Sequence, residues 1–313
     1  GTDTGPRGTF KLTWRRLNRR GYHAELDMRG SELENGFRFA YHLPFQKPFF
    51  LSSKQSQLEV VTLGLAHVEV DTDTYDTTRT FAGVRARRLR GGWRETLSFS
   101  VHHDDFTVGV DSGEVVSVIP AAEWSLVRSD HRLYPQRGYR LGLEIAGAHE
   151  SALSDVTVLK AKASAKWVRA FGPEGPWGRR HKVSARGELG AIVAEDFRTL
   201  PPIFRFFTGG DQSVRGYDFE TLGDLDEAGN VIGGERLFVG SLEYEYLILQ
   251  KWGAAVFYDT GSAGRDLADQ LSEGAGVGVS WRSPVGPVRL DFAWAISEPG
   301  EPLRVHLTIG PDL

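Results

Sequence analysis

Cysteine is absent from this 313-residue chain, which excludes a disulfide framework and any thiolate-ligated metal. A chain without cysteine suits the bacterial periplasm and outer membrane. No basic block occurs: the net charge is −4 and the pI about 6.2, so a nucleic-acid partner is not expected. No apolar run reaches the ~18 residues of a transmembrane helix, and no signal peptide opens the chain. The nine histidines and the loop carboxylates show neither metal-ligand spacing nor a nucleophile–base pairing, so no catalytic residue, metal or cofactor is expected.

Strands fill the space these absences leave. Glycine, at 37 residues, exceeds the usual ~7%, and Thr, Val and aromatic residues are abundant, which favours sheet over helix. Alternation with a period of two begins near residue 8 and scarcely stops. In 157–167, Leu159, Ala161, Ala163, Ala165 and Trp167 share one face, and Lys160, Lys162, Ser164 and Lys166 the other. In 287–296, Val288, Leu290, Phe292 and Trp294 oppose Arg289 and Asp291. Some strands are noisier: Glu95 shares a parity with Trp93 and Leu97. The pattern predicts fifteen strands: 8–17, 22–31, 35–43, 56–70, 76–89, 92–103, 115–128, 139–149, 155–170, 180–195, 236–249, 252–260, 273–282, 287–296 and 302–310. Acidic connectors (SELEN, DTDTYDT, DDFTVGVDSGE, SEPGEP) alternate with short or basic ones (NRRG, RGG, ILQK), as expected for a barrel with long loops at one rim and turns at the other. No linker divides residues 1–313, so one domain is expected.

A soluble sandwich would alternate too. Three features favour a membrane barrel. The strands run to ten or more residues, against ~5–6 in soluble sheets and about 9–11 for a tilted span. Aromatics gather at strand ends (Trp14, Tyr22, Tyr41, Trp93, Trp124, Tyr139, Trp167, Trp252, Trp281, Trp294), like an interfacial girdle. The apolar faces are rich in Ala, Val and Gly. A mean hydropathy of −0.30 is compatible, because half of every strand faces a wet lumen.

One segment, 196–235, breaks the period. It contains PPIFRFFTGGDQSVRGYDFETLG (201–223), and a structureless connection of that length is usually functional. Gly209, Gly210 and Gly216 permit backbone angles other residues avoid. Arg215, between Val214 and Gly216, is costly on a lipid face and must sit in water or against a lumenal carboxylate. If Leu242, Tyr244 and Tyr246 face lipid, Glu243 and Glu245 point inward; if Val256 and Tyr258 do, so does Asp259. A loop tip folded into the lumen with Arg215 held by Asp259 and Glu243 is therefore allowed; carboxylates that merely hydrate the wall are the alternative.

The runs FRFFTGGDQSVRGYDFETLG (204–223), GSLEYEY (240–246), AAVFYDTG (254–261), GAGVGVSWRSPVGPVRLDFAW (274–294) and IGPDL (309–313) resemble the superfamily of outer-membrane assembly factors and two-partner secretion transporters of BamA/TamA type, most closely its TamA branch. The resemblance implies a sixteen-stranded outer-membrane barrel, of which fifteen strands are visible, preceded in a longer precursor by POTRA domains and a signal peptide. It implies a lumenal loop whose motif (Gly209, Gly210, Asp211, Val214, Gly216, Tyr217) anchors Arg215 on Asp259 first and Glu243 second. It also implies a non-enzymatic role in inserting or secreting outer-membrane proteins such as autotransporters. The implied partners are outer-membrane lipids, client β-barrel proteins and an inner-membrane-anchored, TamB-like protein. A weak seam between first and last strands could offer an edge to clients, with Leu307, Ile309, Gly310 and Pro311 on the last strand and Gly310 and Pro311 weakening it. A two-partner secretion pore, a passive porin and an enzyme within a barrel are the rival readings.

Overall fold

The computed structural model describes residues 7–44, 56–175, 178–268, 270–284, 286–300 and 302–310. Pro311, residues 45–55 and the first six residues lie outside these. Among the described residues the chain is all strand and turn, apart from a single 3-10 turn at Glu150–Ala152. The strands are β1 (Arg7–Trp14), β2 (His23–Ser31), β3 (Glu34–Pro44), β4 (Ser56–Asp71), β5 (Tyr75–Arg90), β6 (Trp93–Val108), β7 (Asp111–Ser129), β8 (Arg137–Ala148), β9 (Val158–Gly175) and β10 (Gly178–Ala194). A short hairpin, β11 (Asp224–Leu225) and β12 (Val231–Gly233), lies within the long loop. β13 (Arg236–Leu247), β14 (Trp252–Gly264), β15 (Ser272–Ser283), β16 (Gly286–Ala295) and β17 (Leu303–Ile309) complete the chain.

All but the short hairpin form one antiparallel fifteen-stranded sheet, in sequence order with β10 beside β13. This is the all-β, barrel-type architecture that the alternation predicts. Among the described residues β1 pairs with β2 and β17 with β16, so these two strands bound the sheet. The long loop touches the β4–β5 connection on one side and the bounding strand β17 on the other. Thr74 and Tyr75 donate to its Glu220, and His306 of β17 accepts from its Gly216 amide. The sheet is therefore curved around the loop.

Burial is inverted relative to a soluble sandwich. Leu63, Leu65, Phe99, Leu159, Leu242, Val256 and Val277 are exposed, whereas Glu243, Glu245, Asp259 and Asp291 are buried. An apolar belt facing outward is stable only where lipid, not water, covers it. Six of the predicted girdle aromatics (Trp14, Tyr139, Trp167, Trp252, Trp281, Trp294) are exposed on this outer surface, and Trp252 stacks on Trp281 across β14–β15. The anomalous Glu95 is paired with Arg88 and accepts a hydrogen bond from the Trp124 indole, which offsets the cost of a charge among apolar neighbours.

Three expectations need correction. DDFTVGVDSGE is not a connector: β6 and β7 run through it to the tight turn at Gly109 and Val110. Its acidic residues misled the reading, because Asp104 points inward and pairs with Arg79. The rim asymmetry is also weaker than the connectors suggest, since β2–β3 and β6–β7 close by short turns at the long-loop rim. Finally, the lumen is not uniformly polar. At that rim Phe106, Val108, Val115, Ile119 and Ile192 point inward and pack on Phe197, Leu200, Phe204 and Phe206 of the loop. The aromatic run FRFF has a lumenal core to bury itself in.

Candidate functional site

The loop enters the lumen because its own side chains need it. Leu200 and Phe204 are buried in the apolar cluster, and Arg205, between Phe204 and Phe206, is also buried. Its Nε donates to the Leu200 carbonyl at 2.8 Å, its Nη1 to Ile232 at 3.0 Å and its Nη2 to Arg198 at 2.7 Å. The guanidinium lies over the Phe197 ring and 3.4 Å from Asp111 Oδ2. Planar forked donors suit this task as an ammonium would not. Burial pulls the Arg205 pKa down, and Asp111 opposes the shift. Arg205 is a loop clamp that the sequence reading passed over.

Beyond the clamp the chain tightens. Gly210 N donates to the Val214 carbonyl and Ser213 N to the Gly210 carbonyl, which turns the VRGY run toward the barrel wall. Two bridges, Phe206–Gly234 and Thr208–Leu222, together with β11–β12, give order to a segment that reads as structureless. Asp226 stitches the hairpin, accepting from the amides of Ala228 and Asn230 and from Val110 of the β6–β7 turn. On the opposite side Tyr75 donates to Glu220 Oε2 at 2.7 Å. Burial pushes the Glu220 carboxyl above the ordinary carboxylate range, against the pull of the Tyr75 hydroxyl.

At the tip, Arg215 is bidentate on Asp259: Nε to Oδ2 at 2.7 Å and Nη2 to Oδ1 at 3.0 Å. The Arg215 amide adds a third bond to Asp259 Oδ2 at 3.2 Å. Nη1 reaches Glu243 Oε2 at 3.1 Å and Asp291 Oδ2 at 3.0 Å. The guanidinium carbon stands 3.4 Å from the centre of the Phe257 ring, adding a cation–π contact in a desolvated place. Asp259 is fully buried, and Glu243 and Arg215 are each 6% exposed. The pairings expected with Asp259 and Glu243 are thus both present, on inward-facing positions of β14 and β13.

Asp291 is a third acceptor that the sequence reading placed on the right face but did not connect. The missing link is β15. Its inward positions, Gly274, Gly276 and Gly278, carry no side chain, so β14 and β16 can share one ligand across it. A Cβ at Gly274 would stand 2.0 Å from the Arg215 carbonyl oxygen, and one at Gly278 2.0 Å from Asp291 Oδ1. The GAGVGV run is space reserved for the loop.

The motif residues complete the contact. Gly216 adopts φ 102°, and its amide donates to His306 Nε2 at 3.1 Å; any Cβ there would meet the β16 backbone at 2.9 Å. Val214 is fully buried and packs with Tyr217, Ala295 and Leu222, and the Tyr217 hydroxyl donates to the Glu273 carbonyl. Gly209 and Gly210 both have positive φ. Asp211 lines a cavity of about 150 Å³ beside Arg186, Arg215, Arg289 and Asp291, which Thr308, Ile309 and Gly310 also border. Leu307 and Ile309 pair with Leu290 and Val288 on β16, and Gly310, at φ 144°, still donates to the Pro287 carbonyl. His306, together with Arg304, which pairs with Asp218, ties the loop to the edge strand β17. Sequence parity shows His306 facing inward but not what it meets.

The surroundings balance the charge. Arg289 is paired with Glu243 and Asp291, Lys182 with Glu245, and Arg186 donates to the carbonyls of Gln212 and Ser213. Four cations (Lys182, Arg186, Arg215, Arg289) thus meet four carboxylates (Glu243, Glu245, Asp259, Asp291). Burying so many charges is tolerable only as a complete network. What the arrangement can do is pin a loop.

An outward apolar belt, a charged lumen and a loop pinned through an arginine define a bacterial outer-membrane β-barrel. The profile of the Omp85 superfamily domain matches residues 17–312, and the chain belongs to that superfamily. Over 126 residues it is 32% identical to the outer membrane protein assembly factor BamA of Nitratidesulfovibrio vulgaris, a segment that is 38% of this chain and 16% of that protein. Among solved structures, BamA from Haemophilus ducreyi lacking POTRA domains 1–3 superposes with a TM-score of 0.77 at 15% identity, covering 97% of this chain and 67% of that one. CdiB from Acinetobacter baumannii superposes with a TM-score of 0.60 at 12% identity, covering 97% and 56%. At these identities the two structures speak to the fold alone. The chain spans a small part of the curated relative's length.

Proposed function

We propose that this barrel is a TamA-like factor that assists the insertion or secretion of outer-membrane proteins, autotransporters among them, without covalent chemistry. Its clients add their strands to the edge exposed when a weak seam between the first and last strands parts. The observation that carries the reading is the attachment of the pinned loop to β17, the strand bounding the sheet, through His306 and Arg304. A loop fixed to β13, β14 and β16 by Arg215, and to β17 by these two side chains, sets how far the last strand can move. Gly310, with its left-handed backbone, marks where the strand gives way. Lipids of the outer membrane contact the apolar belt, client β-barrel proteins meet the seam, and a TamB-like protein anchored in the inner membrane is the partner on the periplasmic side.

A disulfide engineered between the first and last strands of the intact protein tests this, since no native cysteine competes. The oxidised form is expected to lose assembly activity and the reduced form to regain it. Full activity in the locked form would refute the seam, and a large single-channel conductance without assembly activity would point to a secretion pore or porin.

A further inference from the structure

We infer that the inner wall of β2 and β3 carries a binding site for a borderline divalent transition cation such as Zn²⁺, formed by His23, Glu25 and His42. The spacing in sequence hides it. His23 and Glu25 are two apart on β2 and so share a face, and antiparallel register sets His42 of β3 directly opposite His23. Met28 and Phe37 are exposed on the outer surface, so the three residues, of opposite parity, face the lumen, where each is half-buried. One ligand atom from each lies within 4.8 Å of the others. A tetrahedral ion with bonds of about 2.0–2.2 Å holds its ligands about 3.3–3.6 Å apart, so small side-chain rotations close the site.

The outer contacts already orient both imidazoles. His42 Nδ1 is 2.9 Å from Thr62 Oγ1 on β4, and His23 Nδ1 is 3.4 Å from the Gly21 carbonyl, which can only accept. Each ring thereby presents Nε2 to the site, the arrangement that fixes the tautomer of metal-bound histidines. His42 Nε2 is buried with no hydrogen-bond partner, and Glu25 Oε2 is 3.9 Å away. The rings stack with centroids 4.5 Å apart, and rotation of one ring about χ2 would turn its in-plane lone pair toward an ion shared with the other. Two imidazoles and one carboxylate select Zn²⁺, Ni²⁺ or Cu²⁺ over Mg²⁺ or Ca²⁺, with lumenal water in the remaining position. Lys11 of β1 competes: its Nζ sits 2.8 Å from Glu25 Oε2, but its side chain is 51% exposed, and such a pair is weak enough to yield. An ion would release Lys11 and clamp β2 to β3 next to β1, which bounds the sheet.

The test is a titration of the full folded chain in detergent micelles with Zn²⁺ against a chromophoric chelator. The wild type is expected to hold one Zn²⁺ that the His23→Ala/His42→Ala double variant does not. Thr62→Val, which removes only the orienting hydroxyl, should weaken binding by about tenfold, and Lys11→Met should tighten it. If the double variant fails to fold, Glu25→Gln carries the test and should weaken binding by at least about tenfold. Equal Zn²⁺ retention by the wild type and the double variant, or by the wild type and Glu25→Gln, would overturn the assignment.

Discussion

Replacing Arg215 by alanine removes one positive charge from a balanced set of four cations and four carboxylates, leaving Asp259, Glu243 and Asp291 short of their shared donor. Breaking a buried ion pair by deleting one partner costs about 3–5 kcal/mol, because an uncompensated charge stays buried. The loop relieves that cost by lifting away and admitting water, so the loss falls on local opening of 196–235 while the strand ladder stays intact. At about 1.4 kcal/mol per factor of ten, the open population rises by about 10²- to 4 × 10³-fold. Cleavage by a protease follows that population when opening and closing are fast. Limited proteolysis of the folded barrel in detergent, with semi-native mobility as the check on the barrel, should show cuts within 196–235 accelerated by about two orders of magnitude or more. Arg215→Lys keeps the charge but loses the fork and should fall between. Wild-type cleavage rates in Arg215→Ala would show that the apolar cluster around Phe204 alone holds the loop, and the anchoring argument would fail.

Other perturbations separate the parts of the site. Gly274→Val should release the loop tip nearly as well as Arg215→Ala, because its Cβ would collide with the Arg215 carbonyl. Gly187→Ala, whose Cβ meets nothing closer than 3.7 Å, should leave the same proteolysis pattern unchanged. Arg205→Met keeps the apolar stem but strands two buried carbonyls, those of Leu200 and Ile232, at about 1–3 kcal/mol each; protease cuts should appear first near 197–206, and amide exchange would register it.

Residues that obey a periodic rule are legible in the sequence, and those defined by long-range contacts are not. Alternation put Glu243, Asp259 and Asp291 inward because one face of each strand is greasy. Yet parity only allows Arg215 to meet Asp259 and Glu243 among the inward carboxylates, and the resemblance ranked Asp259 first and Glu243 second. Asp291 needed a further inference, that a strand of inward glycines brings its two neighbours together. Parity turns His306 inward but does not name its partner some 90 residues distant, and Arg205 gives no signal, since it is defined by backbone carbonyls of an irregular loop. DDFTVGVDSGE misled for the converse reason: acidic residues mark turns in water, whereas here Asp104 sits on the inner face of a strand and is paired with Arg79.

The period of two can be read directly in the membrane, since the chain has no cysteine of its own. Single cysteines at 161 to 166 on β9, spin-labelled in lipid vesicles, would be tested for collision with oxygen, which partitions into lipid, and with a water-soluble nickel chelate. The account predicts oxygen maxima at Ala161, Ala163 and Ala165 and aqueous maxima at Lys162, Ser164 and Lys166. The reverse phase, or no alternation at all, would contradict it.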